Sequence, residues 1–381
     1  MKNVYLYFFI FFIFNGSVYS SEISSNVNLP TKERISSIQD NVLSSIKQNA
    51  SNENIVKVSK KKLIDFFTGQ CKKQNGSELL QKLVNHLNKS EIIIHFDPGK
   101  KISKKDNPNL LLIDAFLQDK YYKNVHEVNQ TSSGAKDENI NKYINTRDGW
   151  EQSKLGYPSK TKGTYTYDNN AVRSGGTERP KYGVLNLYNS ENGVAPQYGK
   201  SFFVLKKNSV QKFCSISHMD TSAGQVTKEN IGTFEYPLNT LLRFFIPEDY
   251  DEEEKRISKC KKMESAGILK DENLDWYNSF IKSTSNSCER LERLINIINE
   301  NNKDEKLASY NSGKQSKTYF EVQIHKDLNF AEDIEKIVIF EKVFKNSEIK
   351  KKLIEFAKTY NNIPIEVYSE KNKKRNPLKY D

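Results

Sequence analysis

The spacing of hydrophobic residues changes several times along the chain, and its first part has a helical period. Apolar positions recur every three or four residues between residues 31 and 47, and similar spacing predicts two further helices before residue 90. A β-branched run at residues 91–96, EIIIHF, is followed by the turn-forming triplet Asp97-Pro98-Gly99. The pattern therefore predicts a helical region over residues 21–90 and a buried strand that begins at residue 91.

The middle of the chain alternates between apolar runs and turn residues. An amphipathic helix is predicted at residues 109–124, and the polar stretch at residues 129–167 is predicted to be a long loop that could serve as a lid. Short strands separated by Gly, Pro and Asn turns are predicted at residues 182–188, 201–206 and 213–217. Their spacing is typical of an antiparallel sheet.

The C-terminal part begins with a change in composition, because residues 248–312 are rich in both acidic and basic side chains. We interpret this stretch as a helical insertion, with helices predicted at residues 251–263, 273–281 and 287–299. After it the pattern predicts a strand, two helices and a last strand, at residues 318–325, 331–340, 347–360 and 363–368. The basic tail, residues 369–381, is predicted to be disordered. The expected fold class is α+β, with one domain over residues 91–368 that contains the insertion.

The first twenty residues resemble a secretory signal peptide. Lys2 precedes an apolar run at residues 4–14, and the small residues Val18 and Ser20 are spaced for cleavage before Ser21. The run is shorter than the roughly 20 residues that span a bilayer. We therefore expect cleavage, a secreted mature protein, and no attachment to a membrane afterwards.

Export permits disulfide bonds, and the chain has four cysteines, Cys71, Cys214, Cys260 and Cys288. Four cysteines allow three pairings. Cys260 with Cys288 would close a modest loop inside one charged stretch, so the spacing is compatible with this bridge but leaves the pairing open. No two cysteines form a C-x-x-C pair, so we expect no metal at these residues.

Composition and charge restrict the class of protein. Twenty-one Phe and twenty Tyr are too many aromatic residues for a disordered chain. The net charge of +11 (59 − 48) is compatible with a non-catalytic secreted protein that binds an acidic partner, and this alternative stays open. Charge alone is a weak indication of nucleic-acid binding, since most charged runs are solvated surfaces, and we do not expect nucleic acid as a partner.

The most specific local pattern is FEVQIH at residues 320–325. The period of a strand places Glu321, Gln323 and His325 on one face and apolar side chains on the other. A glutamate there could hold a ribose hydroxyl and stabilise an oxocarbenium-like transition state, while the amide of Gln323 orients an acceptor. An exposed strand face that alternates by burial alone fits the spacing better, so both interpretations remain.

Two other segments carry candidate chemistry. His95 with Asp97, and His218 with Asp220, are His–Asp pairs two residues apart, which leaves a metal-dependent hydrolase as a further alternative, although no H-E-x-x-H motif accompanies them. Residues 178–187 place basic side chains on both sides of Tyr182. That arrangement suits a flat cofactor with phosphates and equally suits a turn that delivers Tyr182 to the core.

The chain resembles a known bacterial family. Its motifs RPKYGVLNL at residues 179–187 and FEVQIH at residues 320–325, with less specific strings in the same order over residues 91–368, are similar to the domain-of-unknown-function family numbered 3626. The CteC-type effectors, which ADP-ribosylate ubiquitin on threonine, are placed in that family. The family's first strand ends in an H-P-D-R pattern, and its Arg falls on Lys100 here.

The resemblance implies a fold and a set of site residues. It implies an ADP-ribosyltransferase-like split antiparallel β-sheet, with N-terminal helices and a helical insertion, that cradles NAD as a substrate and needs no metal. Glu321 is expected to be the catalytic residue, and Phe213 to pack on nicotinamide. The residues expected to contact NAD are His95, Lys100, Arg179, Tyr182, Phe213, Ser215, Gln323 and His325. The acceptor is expected to be a host protein, with ubiquitin as the first candidate, reached by delivery into host cells.

Overall fold

A computed structural model describes residues 31–101, 110–128, 146–158, 178–246, 286–299 and 319–378. Several predicted features lie outside the described residues, namely the predicted signal peptide, the insertion helices predicted at residues 251–263 and 273–281, and Cys260. Within the described part, no helix is long and apolar enough to span a membrane.

Eleven strands occur in the described residues. In chain order they are β1 Glu91–Phe96, β2 Tyr121–Tyr122, β3 Lys181–Asn186, β4 Ser201–Leu205, β5 Cys214–Ser217, β6 Gly232–Thr233, β7 Phe320–Ile324, β8 Leu328–Asn329, β9 Ile334–Phe340, β10 Ile365–Ser369 and β11 Lys374–Pro377. Nine of these strands form one mixed sheet in the order β11-β10-β9-β4-β1-β3-β7-β5-β6, and β2 pairs with β8. The pairs within both sheets are antiparallel except β9 with β10, which are parallel.

Helices surround this sheet. They are α1 Thr31–Ala50, α2 Glu53–Asp65, α3 Gly76–Lys89, α4 Leu112–Gln118, α5 Val125–Val128, α6 at residues 146–150, α7 Lys207–Val210, α8 Leu238–Phe245, α9 at residues 286–299, α10 Phe330–Asp333, α11 Glu341–Phe344 and α12 Ser347–Thr359. Single π-helical turns follow α2 and α6, at Phe66–Gln70 and Glu151–Leu155. The predicted α+β class is confirmed, with one large mixed sheet and several helices.

The two faces of the large sheet are covered differently, because successive side chains of a strand point to opposite sides. We call the face that carries Phe320 and Val322 of β7 the back face. It packs into the main hydrophobic core, together with apolar residues of α2, α3, α4, α8, α9 and α12. We call the opposite face, which carries Glu321 and Gln323, the front face. Its apolar part is a smaller cluster around Ile93 and Phe202, and the rest is polar.

The N-terminal helices share this core with the sheet. Leu63 of α2 and Leu83 of α3 are buried in the main cluster on the back face. Helix α1 reaches the front face, where Val42 and Ile46 pack with Leu155 and Tyr157. The predicted helical region therefore packs against both faces of the sheet.

The helix predicted at residues 331–340 is wrong. Only the short helix α10, Phe330–Asp333, forms there, and Ile334–Phe340 is strand β9 between β4 and β10. Its apolar residues include Ile337, Val338 and Ile339, and all three are buried, as expected for β-branched residues in an interior strand.

Two segments expected to lack regular structure are ordered. In the tail predicted to be disordered, Lys374–Pro377 is the edge strand β11, which pairs with β10. Arg375 of this strand donates to the carboxylate of Glu91 at 3.0 Å, which fixes the strand across the sheet. In the loop predicted at residues 129–167, residues 146–155 are helical, supported by an ion pair between Arg147 and Glu151 at i,i+4 spacing.

The disulfide differs from the bridge that spacing in the sequence suggested. Cys71 bonds to Cys288, with their Cα atoms 5.2 Å apart, and Cys214 is a buried free thiol. The π-helical turn after α2 brings Cys71 beside α9, a proximity that spacing in the sequence does not reveal. The bridge therefore joins the N-terminal helices to α9, whose residues Leu291 and Leu294 are buried in the main core.

We predict that this bridge contributes substantially to stability, because it joins residues 217 positions apart and so restricts the unfolded chain. The double variant Cys71→Ser, Cys288→Ser should lose about 2–5 kcal/mol of unfolding free energy in urea denaturation. Adding dithiothreitol should lower the unfolding free energy of the wild type to that of the double variant, and should not change the unfolding free energy of the double variant. Equal stability of the oxidised wild type and the double variant would contradict the assignment.

Candidate active site

The carboxylate of Glu321 lies at the centre of the polar part of the front face, and its two oxygens have different surroundings. Oε1 accepts hydrogen bonds from the backbone N–H of Thr221 at 3.0 Å, from the Thr221 hydroxyl, and from Gln323 Nε2 at 3.1 Å. Among the described residues, none donates a hydrogen bond to Oε2. The side chain is 7% exposed. The carboxylate is thus held through one oxygen, while the other is available to a ligand.

The surroundings of Glu321 oppose its ionisation. Burial, followed by the negative charge of Asp220, raises the pKa of Glu321 to about 7, despite the hydrogen bonds from Thr221. Asp220 accepts hydrogen bonds from the N–H of Ser222 at 2.8 Å and from the Tyr198 hydroxyl at 3.3 Å. The raised pKa places the ionisation of Glu321 near neutral pH, as is common for groups that exchange protons in catalysis.

A chain of hydrogen bonds on the front face leads from Tyr157 to Glu321 and orients its carboxylate. Tyr157 OH lies 2.7 Å from His325 Nδ1, and His325 Nε2 lies 2.8 Å from Ser215 Oγ. Ser215 in turn donates to Gln323 Oε1 at 2.8 Å, and Gln323 donates to Glu321. Burial lowers the pKa of His325 to about 3, so the ring is neutral. Because Ser215 donates its proton to Gln323, the ring donates to Ser215 from Nε2 and accepts from Tyr157 at Nδ1. One arrangement of protons satisfies every member, and the chain fixes the orientation of the Gln323 amide.

The loop that carries Thr221 is fixed from a second direction. Lys154, in the π-helical turn after α6, donates to the carbonyl oxygens of Thr221 and Ala223, both at 2.6 Å. The same turn contributes Leu155 to the apolar cluster that α1 covers. The position of Thr221, and with it that of Glu321, therefore depends on packing by α1 and the π-helical turn.

A buried ionic cluster lies beside this chain. Glu151 accepts from His126 at 3.0 Å, from Arg147 at 3.1 Å and from the Tyr182 hydroxyl at 2.9 Å, and Arg179 lies 3.5 Å away. Burial would raise the pKa of Glu151, but the charge and hydrogen bond of His126 and the two arginines outweigh it and lower the pKa to about 2. This permanently charged glutamate holds the Tyr182 ring in place.

The structure separates the predicted NAD-contacting residues into several groups. Arg179 is fully buried and bonded to Asp148 and to the Pro158 carbonyl, so it belongs to the ionic cluster. Ser215, Gln323 and His325 are also buried and form the chain beneath Glu321. None of these four side chains reaches the surface as a ligand contact would require.

His95 has both ring nitrogens occupied by the main chain. Nδ1 donates to the Gly199 carbonyl at 2.6 Å, and Nε2 accepts from the Ala195 N–H at 3.2 Å. Burial lowers the pKa of His95 to about 4, so the ring is neutral. Gly193, at φ +78°, passes so close that a Cβ there would lie 2.5 Å from the ring. His95 is thus built into the turn between β3 and β4.

Phe213 and Lys100 lie at the opposite end of the strands from the Thr221 loop. Ser217, the last residue of β5, pairs with Glu321. Phe213 precedes Ser217 by four residues, and its carbonyl accepts from the N–H of His325. That offset is about 13 Å along a strand. Lys100 follows the turn after β1, near the start of β3. The structure therefore brings neither Phe213 nor Lys100 to the Glu321 carboxylate.

The two His–Asp pairs do not converge on one point. Asp97 accepts from the N–H of Gly99 within its own turn, while both nitrogens of His95 are engaged elsewhere. His218 faces the back side of the sheet, and Asp220 lies with Glu321 on the front. In the described part of the chain, no group of three or more His, Cys, Asp and Glu side chains is arranged to hold a metal ion.

Comparison with known families gives one result. Residues 91–257 match the profile of a family of proteins of unknown function, DUF3626. No curated protein matches the chain. The DUF3626 match supports the family that the sequence motifs indicated, and the family's description assigns no activity.

The matched DUF3626 segment contains only part of the site. It runs from β1 through α8, so it includes Asp220, Thr221 and Glu151 but ends before β7 and Glu321. The sequence motifs predict Glu321 as a site residue but do not predict Thr221, Glu151 or Tyr198. The helical spacing of Arg147 and Glu151 was a usable signal. No pattern in the sequence marked Thr221, which meets Glu321 from 100 residues away.

We predict that Glu321 lowers stability at alkaline pH. Its pKa rises from 4.5 to about 7 on folding, so the unfolded chain loses the proton first, and stability falls as pH rises through this interval. Glu321→Gln, which keeps an acceptor oxygen for Thr221, should be more stable than wild type at pH 8 by roughly 2–3 kcal/mol in urea denaturation. At pH 4, where both states carry the proton, this advantage should vanish.

The exposed Glu335 of β9 provides the matched control, and Glu335→Gln should change stability by no more than about 0.5 kcal/mol at either pH. A Glu321→Gln variant that is less stable than wild type at pH 8 would show that the charged form is favoured in the fold.

Proposed function

We propose that this protein is an NAD-dependent mono-ADP-ribosyltransferase in which Glu321 is the catalytic carboxylate. The acceptor in this proposal is a host protein side chain, and the threonines of ubiquitin are the first candidates because of the family resemblance. The proposal includes export after removal of residues 1–20 and an ADP-ribosyltransferase-like arrangement, in which β3, β7 and β5 form the part of the sheet that carries the site.

The observation that carries the proposal is the asymmetric binding of the Glu321 carboxylate. Oε1 is fixed by Thr221 and Gln323, and no described residue donates to Oε2. A carboxylate oriented in advance can accept a ribose hydroxyl and stabilise positive charge that develops on the sugar, without reorganising during the reaction. A merely solvated strand face would not need the buried chain from Tyr157 to Gln323 beneath it.

In this proposal NAD is a glycosyl donor. The bond between the ribose carbon and the nicotinamide nitrogen breaks, and the electron pair of that bond leaves with nicotinamide. Ionised Glu321 stabilises the cationic sugar, and Gln323 maintains the orientation of Glu321. Asp220 is close enough to act electrostatically on Glu321 and is only partly buried, so it can take the proton that the acceptor hydroxyl releases as its oxygen bonds to the ribose carbon.

The fit of the remaining residues to NAD is partial. Glu321, Asp220 and the hydroxyls of Tyr198 and Tyr319, which lie 3.3 Å apart, suit the reacting ribose and its surroundings. Arg179 and His95 are engaged inside the protein, so we assign them no contact with the dinucleotide. No phosphate ligand is assigned among these residues.

The first test is the loss of transfer in Glu321→Gln. Because the substitution removes the negative charge but preserves the acceptor for Thr221, the variant should fold and lose about 10²-fold or more in activity. The mature protein is incubated with labelled NAD, ubiquitin and a host lysate, and modified protein and free nicotinamide are measured. Glu335→Gln, on β9, should keep full activity. Wild-type inactivity with every acceptor, or full activity in Glu321→Gln, would exclude the proposal.

The second test uses the coupling between the two carboxylates. Activity requires ionised Glu321, so the acid limb of the pH–rate profile should lie near pH 7. Asp220→Asn removes the charge that helps to raise the pKa of Glu321, and should therefore move this limb to lower pH. If the acid limb lies at the same pH in wild type and Asp220→Asn, Asp220 does not influence the ionisation of Glu321. That conclusion holds whatever the effect of the substitution on the maximal rate.

A further inference from the structure

A second polar cluster lies on the back face, at the end of β5 next to α8 and α9. His218 follows the last residue of β5 and is 5% exposed, and its Nδ1 has no hydrogen-bond partner. The charges of Arg243 and Arg290 both act on its ring. His218 lies on the same face as Phe320, whose ring packs on Phe244, and the guanidinium of Arg290 lies over Phe244. Nitrogen-bearing side chains from three elements are therefore close together, with His218 buried and both arginines half-buried.

Arg290 of α9 is half-buried and makes no ion pair within the part of the chain that the structure describes. Its guanidinium donates to the hydroxyl of Ser287 at 2.9 Å and lies over the ring of Phe244, 5.1 Å from the ring centre, while its Nε is buried without a partner. No described carboxylate pairs with it. A guanidinium that is partly withdrawn from water is stabilised by an anionic partner, because desolvation of a charge is unfavourable unless the charge is paired.

The neighbouring ion pairs are on the other sides of the same helix. Arg293, three residues further along α9, pairs with Glu289, and Glu292 pairs with Lys73. Acidic residues of α9 are thus available close by but are directed away from Arg290. Arg290 therefore lacks a described carboxylate partner because of the direction in which α9 presents its acidic side chains.

We propose that His218, Arg290 and the charge of Arg243 form a binding site for a small oxyanion of the phosphate or sulfate type. A tetrahedral oxyanion offers several acceptor oxygens, so it can bind the Arg290 guanidinium and the Nδ1 of His218 together. Burial, with the charges of Arg243 and Arg290, lowers the pKa of His218 to about 4, so the ring is neutral without the anion and has one N–H to donate. This site is on the opposite face from Glu321 and does not depend on the proposed function.

The test is a titration with inorganic phosphate at constant ionic strength, with sulfate and acetate as separate arms, followed by calorimetry and thermal unfolding. Phosphate and sulfate stabilise proteins in general by exclusion from the surface, so variants are needed. Wild type should show saturable binding, and Arg290→Gln should weaken it about tenfold or more. Arg293→Gln, the control on the same helix, should bind as wild type does.

A second expectation separates a ligand site from a purely structural role. Without phosphate, Arg290→Gln should be at least as stable as wild type, because it removes a partly desolvated charge that no described carboxylate neutralises. His218→Phe should also lose phosphate binding, and it decides the question if Arg290→Gln does not fold. Absence of saturable binding in wild type, or equal responses of wild type and Arg290→Gln, would overturn the proposal. A response to acetate equal to that with phosphate would exclude the tetrahedral oxyanion.

Discussion

The central sheet buries both of its faces, and one face carries charged side chains. On the back face this requirement is met by apolar packing, so β7 contributes Phe320 and Val322 to the core. On the front face the same strand contributes Glu321 and Gln323, which can be buried only if their polar atoms find partners. The chain from Tyr157 to Glu321 and the cluster around Glu151 satisfy this constraint, and they fix the position of most other residues of the site.

The sequence predicted the site best in β7, where the two-residue period of a strand decides which side chains share a face. Alternation predicted that Glu321, Gln323 and His325 share a face, and they do, with Ser215 of the adjacent strand between them. The same argument failed for β9. Its run of Ile337, Val338 and Ile339 is buried on both faces, so it has no alternation, and a short apolar run of this kind cannot be distinguished from a helix by periodicity.

Contacts between distant segments could not be predicted from one sequence. Cys71 meets Cys288, and Arg179 meets Glu151, only through the packing of segments that are separate in the chain. Thr221 meets Glu321 because the sheet order places β7 beside β5. That order is set by register and packing, which composition and spacing do not encode. For the same reason the sequence leaves open whether the basic residues before β3 bind phosphate or belong to a turn, and the fold turns Arg179 inward.

The bridge between Cys71 and Cys288 makes the covering of the back face depend on redox conditions. Helix α9 is attached by this bond and by the packing of Leu291 and Leu294, whereas none of the hydrogen bonds around Glu321 involves sulfur. A molecule that passes from an oxidising compartment to one rich in thiols would keep the hydrogen-bonded front face and lose the covalent attachment of α9. The same chain would then exist in two forms that differ in the freedom of one helix.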